Sequence, residues 1–223
     1  MALILHGHAF SSYTWKALIA LYEKDLPFEF SNVDDDAAAD LERGGRLKQL
    51  WPLNKCPVLE DGEKVLIESS IIIEHLDLHY PPFNQFIPVD PTAALETRVM
   101  DRVFDNHVMA HMQAIVGEHL PFITEKPDPM RLDRAKAALS TIYRWLNEKL
   151  PEDGWVCGAE FNMADCSAAP ALFYADWVHP IPDDCPRLKA YRARALARPS
   201  VARAVDGARP YRHYWTLGPI DRD

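Results

Sequence analysis

Two short stretches of this sequence carry residue types that can hold and activate a small ionised ligand. One reads Lys55-Cys56-Pro57-Val58-Leu59, a turn at Asp61-Gly62, an apolar strand, then Glu68-Ser69 opening the run Ser70-Ile71-Ile72-Ile73-Glu74-His75-Leu76. A proline at the start of a strand removes a ladder donor and must sit at an edge, so a special backbone position, cis in the reading taken here, is expected at Pro57. The backbone of Cys56 is then left to pair with a bound peptide. Glu68 offers a carboxylate. Ser69 is expected as the N-cap of the following helix, beside free N–H groups that favour a ligand carboxylate. A zwitterionic amino acid satisfies both. The other stretch, Ser11-Ser12-Tyr13-Thr14-Trp15-Lys16, follows the strand-like Leu3-Ile4-Leu5-His6. It places a hydroxyl where a helix begins and where negative charge is stabilised. The plain alternatives are that Ser11 only caps its helix and that Glu68 is an ordinary first-turn charge.

Taken together, these stretches resemble the glutathione-binding half of cytosolic glutathione S-transferases of the serine type, bacterial or zeta/theta-like. The resemblance covers nearly the whole chain, because Trp155-Val156-Cys157-Gly158, Phe161-Asn162-Met163-Ala164-Asp165 and Arg198-Pro199-Ser200-Val201 follow in the family's order. It implies that Ser11, first in the pattern S-x-x-[C/S/T] ending at Thr14, donates a hydrogen bond to the glutathione sulfur with no covalent step. A free thiol with a pKa of about 8.5 is only a few per cent thiolate at neutral pH, so the anion needs such a donor. It further implies that Glu68 faces the γ-glutamyl ammonium and that Ser69 with the next N–H groups holds its carboxylate. Cys56, before Pro57, would pair through its backbone with the peptide's cysteine, and Lys55 would reach the glycyl carboxylate.

The departures matter. Ser12 and Thr14 are competing hydroxyls, and the stretch also resembles the Ser-Ser-x-Ser-Trp-Arg run of zeta-class members, with Tyr13 out of pattern. Cys56 stands where valine is usual. It reads as a small buried hydrophobe, although a thiol there could exchange with glutathione disulfide. Trp51 stands where asparagine is frequent, and packing is expected of it. The segment Phe104–Met109 has a family counterpart that lines the acceptor pocket, so Asp105, Asn106 and Met109 are expected there, with Phe10 and Tyr13 beside Ser11. Asn162 and Asp165 read as a capping box and Arg198-Pro199-Ser200 as a turn, neither touching substrate. His107 and His111 lie one helical turn apart but lack the glutamate of H-E-x-x-H, so no metal is expected.

The chain has 223 residues, 48% hydrophobic and 26% charged, with a net charge of −9. That composition suits a globular protein of two compact domains and argues against one built to neutralise phosphates or to sit on anionic membranes. Cys56, Cys157, Cys166 and Cys185 show no metal or disulfide spacing. No signal-like or membrane-spanning run is present, so a cytoplasmic location is expected. Strand at Ala2–His6, helix near Ser12–Lys24, strand at Phe28–Val33, a polar stretch to Gln49 with a loop and one irregular helix, a hairpin at Asp61-Gly62 and a helix from Ser69 to His79 give βαβαββα. This is the order of a thioredoxin-like domain, over residues 1–80, closed by Tyr80-Pro81-Pro82-Phe83. An all-α domain is expected over 92–223, with Leu95, Val99 and Val103 on one helical stripe and Leu132, Ala135, Leu139, Ile142, Leu146 and Leu150 on another. Aromatics in the tail Tyr211–Asp223 are expected to pack back on the fold. The leading expectation is a homodimeric transferase joining glutathione, its co-substrate, to a small electrophile. The alternatives are a zeta-type (maleylacetoacetate isomerase-like) isomerase that adds glutathione reversibly to an unsaturated acid, and a non-catalytic dimeric scaffold. Disulfide exchange as the main activity is disfavoured, because Ser11 stands where the nucleophilic cysteine would be.

Overall fold

The computed structural model describes residues 3–33, 43–81, 84–120, 123–215, 217–218 and 223. The expected strand start at Ala2, the loop over 34–42, Pro82-Phe83 and parts of the tail lie outside the described residues. Strand β1 (Leu3–Gly7) sends Leu3 and Leu5 into the core and pairs parallel with β2 (Phe28–Asn32). On its other side it pairs antiparallel with β3 (Val58–Asp61), which turns at Gly62 into β4 (Lys64–Ile67). The sheet order is β2-β1-β3-β4, with α1 (Ser12–Glu23), α2 (Arg43–Leu50) and α3 (Ser69–His79) between and after the strands. This is the thioredoxin-like mixed sheet expected from the sequence. Helix α1 is buried from Thr14 to Leu21, since the helical half of the molecule covers the face that the sheet leaves open.

That half opens with α4 (Pro91–Val103), a π-helical segment (Phe104–Met109) and α5 (Ala110–Gly117), three consecutive helical pieces with no loop between them. It continues with α6 (Pro129–Lys149), α7 (Met163–Val178), α8 (Pro186–Leu196) and α9 (Pro199–Ala208), and ends in a 3-10 segment at Arg209–Tyr214. Local chemistry sets these starts: Asp90 accepts from Ala93 N–H and Asp128 from Met130 N–H, each followed by proline at the first helical position. Helix α7 starts at the expected capping box, in which Asn162 accepts from Ala164 N–H and Asp165 accepts from Asn162 N–H. Asp165 also takes Val156 N–H and the Tyr191 hydroxyl, which ties the preceding turn and α8 to this helix.

The α6 stripe is buried at Ala135, Leu139, Leu146 and Leu150, but the α4 stripe is not. Leu95 and Val99 are 62% and 51% exposed. The buried face of α4 is instead Ala94, Thr97, Met100 and Asp101, because α4 packs on the alanine-rich α7 and places Asp101 against Lys16 of α1. The two halves are further joined where Arg198 donates to both oxygens of Glu23 at 2.6 Å while its guanidinium stacks over Phe161. In the tail, Trp215 packs edge-on to Trp177. Among the described residues no helix is long and apolar enough to cross a membrane.

Candidate active site

Strand register brings the chemistry to one end of the sheet. His6 pairs with Val58 and Val58 with Ile67, so Gly7, Pro57 and Glu68 come next to one another where the strands end. The loop His8–Ser11 leaves from the same end. The Cys56–Pro57 peptide is cis, as expected from the proline at the strand start. Glu68 has φ of 68°, a backbone conformation costly for a residue with a side chain and one that clusters at functional sites. This conformation corrects the expected cap: Glu68, not Ser69, is the N-cap of α3, it makes no side-chain capping bond, and Ser69 is the first helical residue. Ser69 is buried, Glu68 and Lys55 are exposed, and Cys56 is half-buried.

Ser11 is the N-cap of α1, with its oxygen accepting from Thr14 N–H at 3.4 Å. The loop before it is fixed from both halves of the molecule: the Trp15 indole donates to Ala9 carbonyl at 2.7 Å, and the Tyr174 hydroxyl of α7 donates to Phe10 carbonyl at 3.0 Å. The three hydroxyls are not equivalent. Thr14 is fully buried against Gly7, where a Cβ would come within 2.5 Å of its methyl, and its hydroxyl has no partner among the described residues. It cannot reach a ligand. Ser11 and Ser12 both open on a cavity of about 630 Å³.

Phe10, Ser11 and Ser12 form one wall of that cavity, Met112, Gln113 and Val116 of α5 the opposite one, and Tyr174 and Trp215 close it. Of the five residues expected to line an acceptor pocket, Phe10 lines this cavity. Asp105 does not, since it is buried and bonded to Lys16 at 2.8 Å. Met109 is fully buried in the core, and Asn106 is exposed and not part of the cavity lining. The cavity face on this helix lies further along, at Met112, Gln113 and Val116, beyond the π-helical segment. Tyr13 is half-buried outside the cavity, its hydroxyl pushed up to about 12 by burial and by the charge of Asp105. It senses Glu68 as well, which places the starts of α1 and α3 within electrostatic reach. His8, Gln113, Tyr174 and the tail residues were not anticipated. Helical periodicity from Met112 through Leu120 was the available signal for the α5 wall, and none marked the tail.

His107 and His111 line a separate groove beside Trp145, and among the described residues no three His, Cys, Asp or Glu are grouped to hold a metal. The four cysteines are unpaired.

Residues 5–84 match the glutathione S-transferase N-terminal domain family and residues 129–194 the C-terminal domain family. The chain is 30% identical to glutathione S-transferase 1 of Dianthus caryophyllus over 75% of each sequence. It is 27% identical to glutathione S-transferase PARB of Nicotiana tabacum, covering 92% of this chain and 98% of the relative. A Vibrio cholerae protein named as a maleylacetoacetate isomerase is 27% identical, with 94% and 98% covered. Among solved structures, a glutathione S-transferase of Methylobacillus flagellatus with glutathione bound superposes with a TM-score of 0.78 at 24% identity, over 91% of this chain and 98% of that one.

Proposed function

Because this chain belongs to the glutathione S-transferase family, we propose that it binds glutathione along the sheet end at Lys55, Cys56, Pro57, Glu68 and Ser69 and activates its thiol through Ser11 for conjugation to a small electrophile. The observation that carries this reading is the position of Ser11. Its hydroxyl stands at the mouth of α1 and opens on an apolar cavity large enough for an acceptor. The helix start supplies N–H groups and dipole, and the hydroxyl supplies a donor, so sulfur held there is stabilised as the anion. The division into residues 1–80 and 92–223 and a cytoplasmic location belong to the same proposal. Retention on immobilised glutathione followed by turnover of an aryl halide or unsaturated carbonyl tests it, and absence of either rejects it.

An isomerase acting on an unsaturated acid is the second reading, supported by the adjacent Ser11 and Ser12 on the cavity wall. Against it, no lysine or arginine lines the cavity among the described residues, and its two imidazoles, His8 and His213, are each already hydrogen-bonded to backbone, so a carboxylate there would lack a permanent counter-charge. A scaffold without catalysis would have no need of Ser11, Lys55, Pro57, Glu68 and Ser69 together.

Two expectations follow. Glu68→Ala should weaken glutathione binding tenfold or more, since a charge-assisted hydrogen bond contributes about 1.5–3 kcal/mol. Calorimetry giving wild-type affinity for the folded variant would remove Glu68 from the site. The chain is also proposed to be a two-fold homodimer, so light scattering should return twice the 25.4 kDa chain mass. A monomer at micromolar concentration would count against that assembly.

A further inference from the structure

Most polar groups that face the cavity are already engaged. The Tyr174 hydroxyl donates to Phe10 carbonyl, His8 Nδ1 accepts from Phe10 N–H at 3.0 Å, and His213 Nδ1 lies 2.9 Å from Pro210 carbonyl. Gln113 differs. It is exposed on the α5 wall, and its Nε2 reaches across to Ser12 Oγ at 3.5 Å, the outer limit of a hydrogen bond. No other hydrogen bond joins its side chain to the described residues. Its carboxamide therefore stands opposite the two serines, at the end of the cavity where Ser11 would hold sulfur, while the rest of that wall is Met112 and Val116. A single polar group set in an apolar wall fixes the orientation of whatever binds there.

Resting on the transferase reading above, we propose that Gln113 selects the acceptor: this site takes electrophiles whose reacting carbon is conjugated to an oxygen, in a carbonyl or nitro group, and the Gln113 N–H donates to that oxygen. As the thiolate adds, a C–S bond forms at the conjugated carbon and the π pair moves onto the oxygen. The charge thus arises at the Gln113 donor, whose bond strengthens as the transition state is approached. With an unsaturated ketone, the α-carbon then takes a proton from water, balancing the one the thiol released to solvent. With a halonitroarene, the ring adduct expels halide.

The test compares wild type, Gln113→Leu and Gln113→Glu on benzylideneacetone, a chlorodinitrobenzene and benzyl chloride, the last having no oxygen acceptor. In both variants kcat/KM for the first two should fall tenfold or more relative to kcat/KM for benzyl chloride, with the loss for Gln113→Glu at least as large. The Kd of glutathione by calorimetry should stay within twofold. Equal losses on all three compounds, no loss, or a loss confined to glutathione binding would overturn the role of Gln113 and leave the transferase reading standing. Absence of wild-type turnover with every compound would overturn both.

Discussion

Ser11→Ala should lower kcat about a hundredfold or more while leaving glutathione affinity within a few fold. One preorganised donor to an oxyanion is worth about 2.7–4 kcal/mol in an enclosed site, and a thiolate asks for the same service. Ser11 Oγ accepts from Thr14 N–H, which leaves its own proton free to donate, and Ser11 lines the cavity. The glutamyl contacts proposed for Glu68 and Ser69 lie on another element, so binding should survive. The sign of the pH effect follows. Without the donor the bound thiol rises toward its free value of about 8.5, so the ascending limb of the kcat–pH profile moves to higher pH. Ultraviolet titration of the bound thiolate reads the same shift directly.

Because Ser11 also caps α1, the alanine variant should lose about 0.5–2 kcal/mol of stability, whereas Ser11→Gly keeps most of the cap and lacks the hydroxyl. Both should show the same kinetic defect, which separates catalysis from folding. A shift produced by Ser12→Ala and not by Ser11→Ala would move the donor by one residue. No shift in either would end the catalytic reading.

What could be read from sequence was local. The Asp61-Gly62 turn, the proline before β3, the capping box at Asn162 and the serine before α1 are each set by neighbours within a few residues, so pattern alone located them. Misreadings arose where the determining contact is remote or leaves no local signal. Positive φ at Glu68 moved the cap by one residue, and nothing in Glu-Ser-Ser signals it. The cavity beside Ser11 is lined by Met112, Gln113 and Val116 and not by Asp105, Asn106 or Met109, because the packing of α5 against the start of α1 is a contact between residues about a hundred positions apart. Leu95 and Val99 have core-like side chains on a face that α7 does not cover, since α4 meets that neighbour through smaller and polar residues. Lys16 shows the limit most clearly, because no local pattern assigns it a role and its carboxylate partners lie 85 and 89 residues away.

Lys16→Met should therefore cost about 3–5 kcal/mol of stability, the penalty for breaking a buried ion pair from one side. Lys16 is fully buried, and its Nζ donates at 2.8 Å to Asp101 Oδ1, at 2.8 Å to Asp105 Oδ2 and at 2.9 Å to Ser70 Oγ, joining α1 to α3, α4 and the π-helical segment. Arg102 also contacts both carboxylates but is half in solvent, so it offsets only part of the loss. Burial alone would lift both acids. The Lys16 ammonium, with its hydrogen bond, brings Asp101 below the ordinary carboxylate range, whereas Asp105, lifted by burial and by the neighbouring charge of Asp101, stays above it despite Lys16. The two acids act with opposite signs on the wild type: the depressed pKa of Asp101 contributes stability above the unfolded value of about 3.9 that disappears as pH falls through the folded value, and the raised pKa of Asp105 does the reverse. The gap between wild type and variant has a definite sign, because the Lys16 ammonium favours the charged form of both. In Lys16→Met both carboxyls would be raised above their wild-type values, so protonation relieves the variant more than the wild type. Urea denaturation should show the largest gap at neutral pH and a narrower one near pH 4. Adding Asp105→Asn to Lys16→Met should recover stability, because it removes the charge left without its partner, and it also supplies a measurable protein if the single variant does not fold. A single variant within about 1 kcal/mol of wild type, or a double variant no more stable than the single, would mean that Arg102 and the serines neutralise this cluster without the lysine.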